Sequence, residues 1–209
     1  MHRDNRTFDT RNNRARSGKR RRKLSKRQEF VQGLDAIYIV ALILSVYMLF
    51  FRVVSVVGPS MYDTLIQGDR LLLVSSLVYR EPKQGDIIVC SKETFDGGTC
   101  FVKRVIATEG QEVNINFQTG EVMVDGVVLQ EDYLHSPTNL DEGVAFPIVV
   151  GEGQVFVMGD NRERSLDSRS HQIGLVDERQ ILGKAIFLLS PGDNGGKEQA
   201  QFSRIGWID

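Results

Sequence analysis

From Ala36 to Phe51 the chain runs sixteen residues without a charge, bounded by Asp35 and Arg52, and the apolar run resumes from Val53 to Val57. Sixteen helical residues span about 24 Å, and Ala36 to Val57 would span about 33 Å. A bilayer's hydrocarbon core is about 30 Å thick. The pattern predicts one transmembrane helix over 30–57, with Arg52 near an interface where its long side chain can snorkel. A buried soluble helix would show a similar run, and a cleaved secretory signal the same order of charge then apolar residues. No A-x-A-like site follows, and Pro59 stands where cleavage after Gly58 would have to occur. An uncleaved anchor is therefore expected.

The pattern changes after Gly58. Short segments rich in β-formers run from Arg70 to Val74, Asp86 to Cys90, Phe101 to Ile106 and Glu112 to Phe117. Glu121–Val124 follows, and Asp125-Gly126 reads as a two-residue hairpin turn into Val127–Leu129. Gln154–Met158 and Ile181–Leu189 supply two more strands. Helical periodicity is absent beyond the anchor, so the fold class expected is mainly β. The organisation expected is a disordered basic tail over 1–29, the helix over 30–57, one domain over 58–190 and a turn-rich tail over 191–209. Trp207 in that tail is assigned to the core rather than to a membrane surface.

Charge sharpens the division. The net charge of the 209 residues is -1, but 1–29 hold twelve Lys/Arg against three acids, whereas 30–209 hold fourteen against twenty-four. A +9 segment before an apolar helix puts the N-terminus in the cytoplasm and the remainder outside. The expected localisation is a cell membrane, in single-pass type II orientation. The cluster Lys19–Lys23 could bind nucleic acid, but the anchor that follows makes the lipid bilayer the expected partner and nucleic acid not one. Two cysteines, Cys90 and Cys100, are too few for a disulfide scaffold or a four-ligand zinc site. They bracket a loop containing Gly97-Gly98; a disulfide and two free thiols both remain open. No metal and no cofactor are expected.

Three elements carry candidate chemistry. Gly58-Pro59-Ser60-Met61 places a serine on a turn, where its hydroxyl can be exposed beside a backbone N–H. A serine nucleophile needs a base. A Ser60–His171–Asp167 triad is the weaker option, because His135 and His171 lie in polar loop-like stretches. Lysine is the stronger one. In Phe101-Val102-Lys103-Arg104-Val105-Ile106, alternation puts Lys103 on one face with Phe101 and Val105. Desolvation there lowers an amine's pKa. At an ordinary value of about 10.4, only about 0.04% of the amine is neutral at pH 7. The plain alternative is an edge-strand lysine that blocks aggregation. The third element, Met158–Arg169, is a densely charged loop after the apolar run Val155-Phe156-Val157.

Together these elements resemble the type I signal peptidases, membrane-anchored proteases with a Ser/Lys dyad. The resemblance covers the chain from the anchor to about Ile186. It includes Thr64-Leu65, Gly68-Asp69-Arg70 and Gly85-Asp86-Ile87-Ile88 beside the serine box, the lysine box and the Gly159–Arg169 loop. It implies that Ser60 is the nucleophile and neutral Lys103 the general base. It implies that the Ser165 hydroxyl orients the amine, that Asp160 pairs with Arg104 and that Asp167 pairs with Arg169. The implied domain is β-sheet-rich and binds signal peptides of secreted preproteins as an added strand in a shallow groove. Met61 would line a pocket for a small substrate side chain.

Two positions depart from the family pattern. Many members carry a serine oxyanion donor where this chain has Gly58, and proline where it has Asp63. The first leaves more of the oxyanion work to the Ser60 N–H; the second leaves the turn less preset. A non-catalytic assembly factor on the same fold is the alternative, and the presence of both Ser60 and Lys103 argues against it. A self-cleaving repressor would need a DNA-binding domain and no membrane span.

Overall fold

The computed structural model describes residues 26–92, 99–196 and 199–208. The basic tail expected over 1–29 thus falls, up to residue 25, outside the described residues. So do Gly97-Gly98 and Lys197.

One α-helix, α1, runs Lys26–Phe50, and Gly33–Phe50 is long and apolar enough to cross a membrane, with none of it buried against protein. Among the described residues, apart from the short 3-10 turns Arg162–Arg164, Glu178–Gln180 and Phe202–Arg204, the other regular elements are strands: β1 Phe51–Ser55, β2 Arg70–Ser75, β3 Ile87–Ser91, β4 Cys100–Thr108, β5 Glu112–Asn116, β6 Glu121–Val124, β7 Val127–Val128, β8 Ile148–Val149, β9 Gln154–Met158, β10 Val176–Asp177, β11 Ile181–Ser190 and β12 Gly206–Trp207.

The helix expected to reach Val57 stops at Phe50. Residues 51–55 instead pair antiparallel with β2, Val53 opposite Leu72 and Ser55 opposite Arg70. The reason lies in the side chains. Val53 and Val54 are β-branched and lose little by extending, and β2 offers a ladder that the helix cannot match. Arg52 is therefore a strand residue.

The main sheet has the order β1-β2-β11-β3-β4-β9-β10, with β12 also on β11. A second sheet has the order β7-β6-β5-β8. Every strand pair is antiparallel. The hairpin between β6 and β7 has φ of 51° at Asp125 and 77° at Gly126, the positive pair that a type I′ turn requires.

β3 shows why the centre of the sheet reads as continuously apolar. Ile87 and Val89 enter one buried cluster with Met61, Leu65, Leu71 and Leu73. Ile88 and Cys90 enter another, on the opposite face, with Phe101, Val105 and Val157. Both faces are covered, so alternation disappears. The same register settles the cysteines. Cys100 lies opposite Ser91 and Cys90 opposite Phe101, which sends the two thiols to opposite faces. Both are free, Cys90 buried and Cys100 exposed.

The segment after residue 190 does not trail away. Gly206–Trp207 pairs with β11, and Arg204 forms an ion pair with buried Asp69. Trp207 is not a core residue: it is 76% exposed, resting edge-on against Phe187 with ring centroids 5.4 Å apart. Its strand is two residues long and at the margin, so one face of the indole has nothing to bury against.

Candidate active site

Ser60 lies on the turn between β1 and β2, in a run of turn residues from Ser60 to Thr64. Gly58 enters it at φ +85°, a left-handed conformation that glycine adopts without a Cβ penalty. Within the turn, Pro59 O accepts from Tyr62 N at 3.2 Å and Met61 O from Leu65 N at 2.8 Å. Among the described residues, nothing accepts from the Ser60 N–H. At Asp63, where proline would preset the turn, the carboxylate instead meets His135 Nδ1 at 3.1 Å, and Tyr62 packs edge-on against the same imidazole.

Lys103 projects from the middle of β4 and is 3% exposed. Its Nζ donates to Ser60 Oγ at 2.8 Å and stands 5.9 Å from the centre of the Phe101 ring. Phe101 and Val105 share its face, as alternation requires, and both are buried. Burial is the main cause that lowers its pKa from 10.5 to about 8; nearby Asp167 opposes the shift, while Arg169 assists it. The displacement corresponds to about 3 kcal/mol of destabilised ammonium. At pH 7 about a tenth of the amine is then neutral, against well under a thousandth in water.

The loop after β9 holds these two elements together. Arg104, facing away from Lys103, forms a fork with Asp160: Nε to Oδ1 at 3.0 Å and Nη2 to Oδ2 at 2.9 Å. The guanidinium stacks 3.9 Å from the centre of the Tyr133 ring and donates to Gly85 O. Asp160 Oδ2 also accepts from Thr64 Oγ1 at 2.5 Å, which ties the loop to the serine turn. Asn161 completes the tie: its N–H donates to Ser60 O at 3.0 Å and its side-chain amide to Pro59 O at 3.2 Å.

Asp167 and Arg169 form the second buried pair, Nε to Oδ1 at 2.8 Å and Nη2 to Oδ2 at 3.0 Å. Asp167 Oδ2 also accepts from Gly159 N and from Ser165 Oγ, the latter at 2.7 Å. The Ser165 hydroxyl thus donates to Asp167; among the described residues it makes no hydrogen bond to Lys103, whose Nζ meets Ser60 Oγ instead. Met61, expected beside a substrate pocket, is 1% exposed and belongs mainly to the core under the turn. It still forms part of the floor of a cavity of about 430 Å³ that opens at Ser60. Val54 to Pro59 line one side, Thr99 to Lys103 another, and Arg164 and Leu166 the rim. His171 is exposed on the surface, and Asp167 is committed to Arg169, so the structure assembles no Ser–His–Asp triad.

Several contributors escape sequence reading. Tyr133 belongs to an unremarkable stretch, and Thr64, although part of the resemblance, carried no sign of its bond to Asp160. Glu131 pairs with fully buried Arg162, which also reaches Thr138 Oγ1 and Gly159 O. Only the density of charge around Arg162 hinted that the loop turned inward.

A turn hydroxyl held by a desolvated lysine amine, its own N–H left without an acceptor among the described residues, is an arrangement suited to serine hydrolase chemistry in which an amine replaces an imidazole. The family model for signal peptidase, peptidase S26, matches residues 28–190, and the chain belongs to that family of serine peptidases. The chain is 38% identical over 179 residues to the probable signal peptidase I-1 of Synechocystis, covering 81% of this chain and 87% of the relative. It is 32% identical over 171 residues to signal peptidase I of Bacillus licheniformis, covering 78% and 88%. To signal peptidase I T of Bacillus subtilis it is 35% identical over 167 residues, covering 76% and 84%.

Proposed function

We propose that this chain is anchored in a cell membrane with its N-terminus cytoplasmic, and that outside it removes signal peptides from exported preproteins through Ser60 and Lys103. The observation that carries the residue assignment is the 2.8 Å contact between the Lys103 amine and the Ser60 hydroxyl. The twelve Lys/Arg ahead of the apolar helix support the orientation.

In the acting form Lys103 is neutral, and the contact reverses: the Ser60 hydroxyl donates to the amine lone pair. Ser60 Oγ attacks the scissile carbonyl while its proton passes to Lys103 Nζ. The developing oxyanion is met by the unoccupied N–H of Ser60. Gly58 supplies no side-chain donor, so this N–H carries more of that work. The resulting ammonium returns a proton to the leaving amine, leaving Ser60 acylated by the signal peptide's new C-terminus. Neutral Lys103 then takes a proton from water, which attacks the ester, and the ammonium returns that proton to Ser60 Oγ as the acid product leaves. Arg104, Asp160, Asp167 and Arg169 take no part in the chemistry and hold the geometry. Ser165 is read as a supporting residue that acts through Asp167, to which its hydroxyl is bonded.

The cavity beside Ser60, lined by Val54, Val89 and Leu166, suits an extended peptide with small apolar side chains near the cut. The test is cleavage of a purified preprotein in detergent by the wild type, Ser60→Ala and Lys103→Ala, with sequencing of the product N-terminus. Cleavage after a small residue by the wild type alone is the expected result. Residual turnover in either variant would remove that residue from the chemistry.

A further inference from the structure

We propose that Arg204, in the segment that follows the matched family region, is a positioning residue for the Ser60 turn. Its guanidinium spans two anchor points at once. Nη1 and Nη2 grip Asp69 Oδ1 and Oδ2 at 3.0 and 2.7 Å, and Nη2 also donates to the backbone carbonyl of Thr64 at 3.0 Å. Thr64 is the last residue of the run of turn residues that begins at Ser60.

The acceptor is built for this load. Asp69 is fully buried, and its carboxylate also receives Ile66 N at 2.9 Å and Gly192 N at 2.7 Å. Removing the cation leaves this charge buried without a counterion, a strongly unfavourable state. The surroundings fix the approach. A Cβ at Gly192 would meet Gln67 O at 2.3 Å and Asp69 N at 2.6 Å, so the returning chain lies directly on the exit of the turn. Asn194 N donates to Gln67 O beside it.

The turn is therefore held at both ends by different parts of the chain. Asn161 N holds the Ser60 carbonyl, and Asp160 holds the Thr64 hydroxyl. Arg204 holds the Thr64 carbonyl from the other direction. With it gone, the Thr64 carbonyl loses this anchor, and the exit of the turn can shift although Val56 still pairs with Gly68 and Asp69 and Met61 stays in the core. A displacement near 1 Å at a nucleophile costs up to about a hundredfold in rate. Lys103 is held by its own strand and keeps its environment, so the base should not change.

This inference rests on Ser60 being the nucleophile, and the experiment separates the two. Preprotein cleavage is followed for the full-length wild type, Arg204→Ala, Arg204→Lys and, as a control on the same segment, Phe202→Ala, whose ring is 71% exposed. Arg204→Ala should lose kcat by about tenfold or more with KM within about twofold. Its apparent pKa for activity should match the wild type's. Millimolar guanidinium chloride should restore part of the rate. Arg204→Lys should recover less than the wild type, because a point charge cannot grip both Asp69 oxygens and the carbonyl together. Phe202→Ala should be unchanged. Unaltered kcat in Arg204→Ala, or a loss that only follows the unfolded fraction and ignores guanidinium, would overturn the proposal. A wild type that cuts no preprotein would defeat the functional reading instead.

Discussion

Gly159 has no room for a Cβ, because the Ser60 carbonyl oxygen lies 2.4 Å from where that atom would stand. Ser165 Oγ closes the other side at 2.2 Å. The loop backbone thus runs between the Ser60 peptide and the serine that is hydrogen-bonded to Asp167. Neither neighbour is free to yield. The Ser60 carbonyl is fixed by Asn161 N, and the Ser165 hydroxyl by Asp167. Gly159→Ala should lower kcat by about a hundredfold, with a stability loss of about 1–3 kcal/mol from overpacking. Steady-state kinetics alongside urea denaturation separates the two effects. Activity within twofold of wild type would mean that the turn tolerates displacement.

As the proposed base, Lys103 must be neutral to accept the Ser60 proton, and its pKa is lowered to about 8. The value of kcat/KM should therefore rise about tenfold per pH unit below pH 8 and level off above it. A pH profile on a soluble peptide substrate checks this. A plateau already reached at pH 6.5 would place the controlling ionisation on another group.

The same burial has a thermodynamic sign. The folded chain releases the Lys103 proton near pH 8, whereas the unfolded chain holds it to about 10.5. Between those values the unfolded state binds more protons, so the stability of the wild type rises with pH across that window. Below it, ammonium burial costs about 3 kcal/mol. Lys103→Met removes this cost and one hydrogen bond worth about 1 kcal/mol. At pH 7 the inactive variant should be more stable than the wild type by about 2 kcal/mol. The advantage should shrink toward pH 10. Urea denaturation at pH 7 and pH 9.5 measures it, and an equal difference at both would show that charge is not what is being relieved.

The Arg104–Asp160 fork is almost wholly buried, with 4% and 1% of the two side chains exposed. Asp160→Asn leaves the guanidinium uncompensated and should cost about 3–5 kcal/mol. The double variant Asp160→Asn/Arg104→Met should recover much of that loss, because it removes the stranded charge. Both should remain poor catalysts, since Thr64 loses its carboxylate acceptor. Recovery of stability without recovery of turnover is the expected pattern in a double-mutant cycle.

The strands of this domain were legible because alternation encodes which face a residue takes. Glu121–Val124 and Gln154–Met158 fall where the pattern put them, and Lys103 shares its face with Phe101 and Val105. Phe51–Ser55 was misread because an apolar, β-branched run fits a helix or a strand equally well. Only pairing with β2 decides between them. The two-residue strands β8, β10 and β12 carry no period to detect. The same holds for long-range polar pairs: Asp69 with Arg204 and Thr64 with Asp160 are separated by 135 and 96 positions. No local pattern marks a residue for a partner so far along the chain.

The order of strands has a consequence for the timing of activity. Ser60 belongs to the β1–β2 connection, and Lys103 to the β3–β4 hairpin. In the sheet these two hairpins do not neighbour each other; β11, residues 181–190, separates them. A chain delivered from its N-terminus holds the hydroxyl and the amine on separate pieces until that strand arrives and joins them. On the assignment of Ser60 and Lys103, the pair cannot assemble during synthesis until residues 181–190 have emerged and paired.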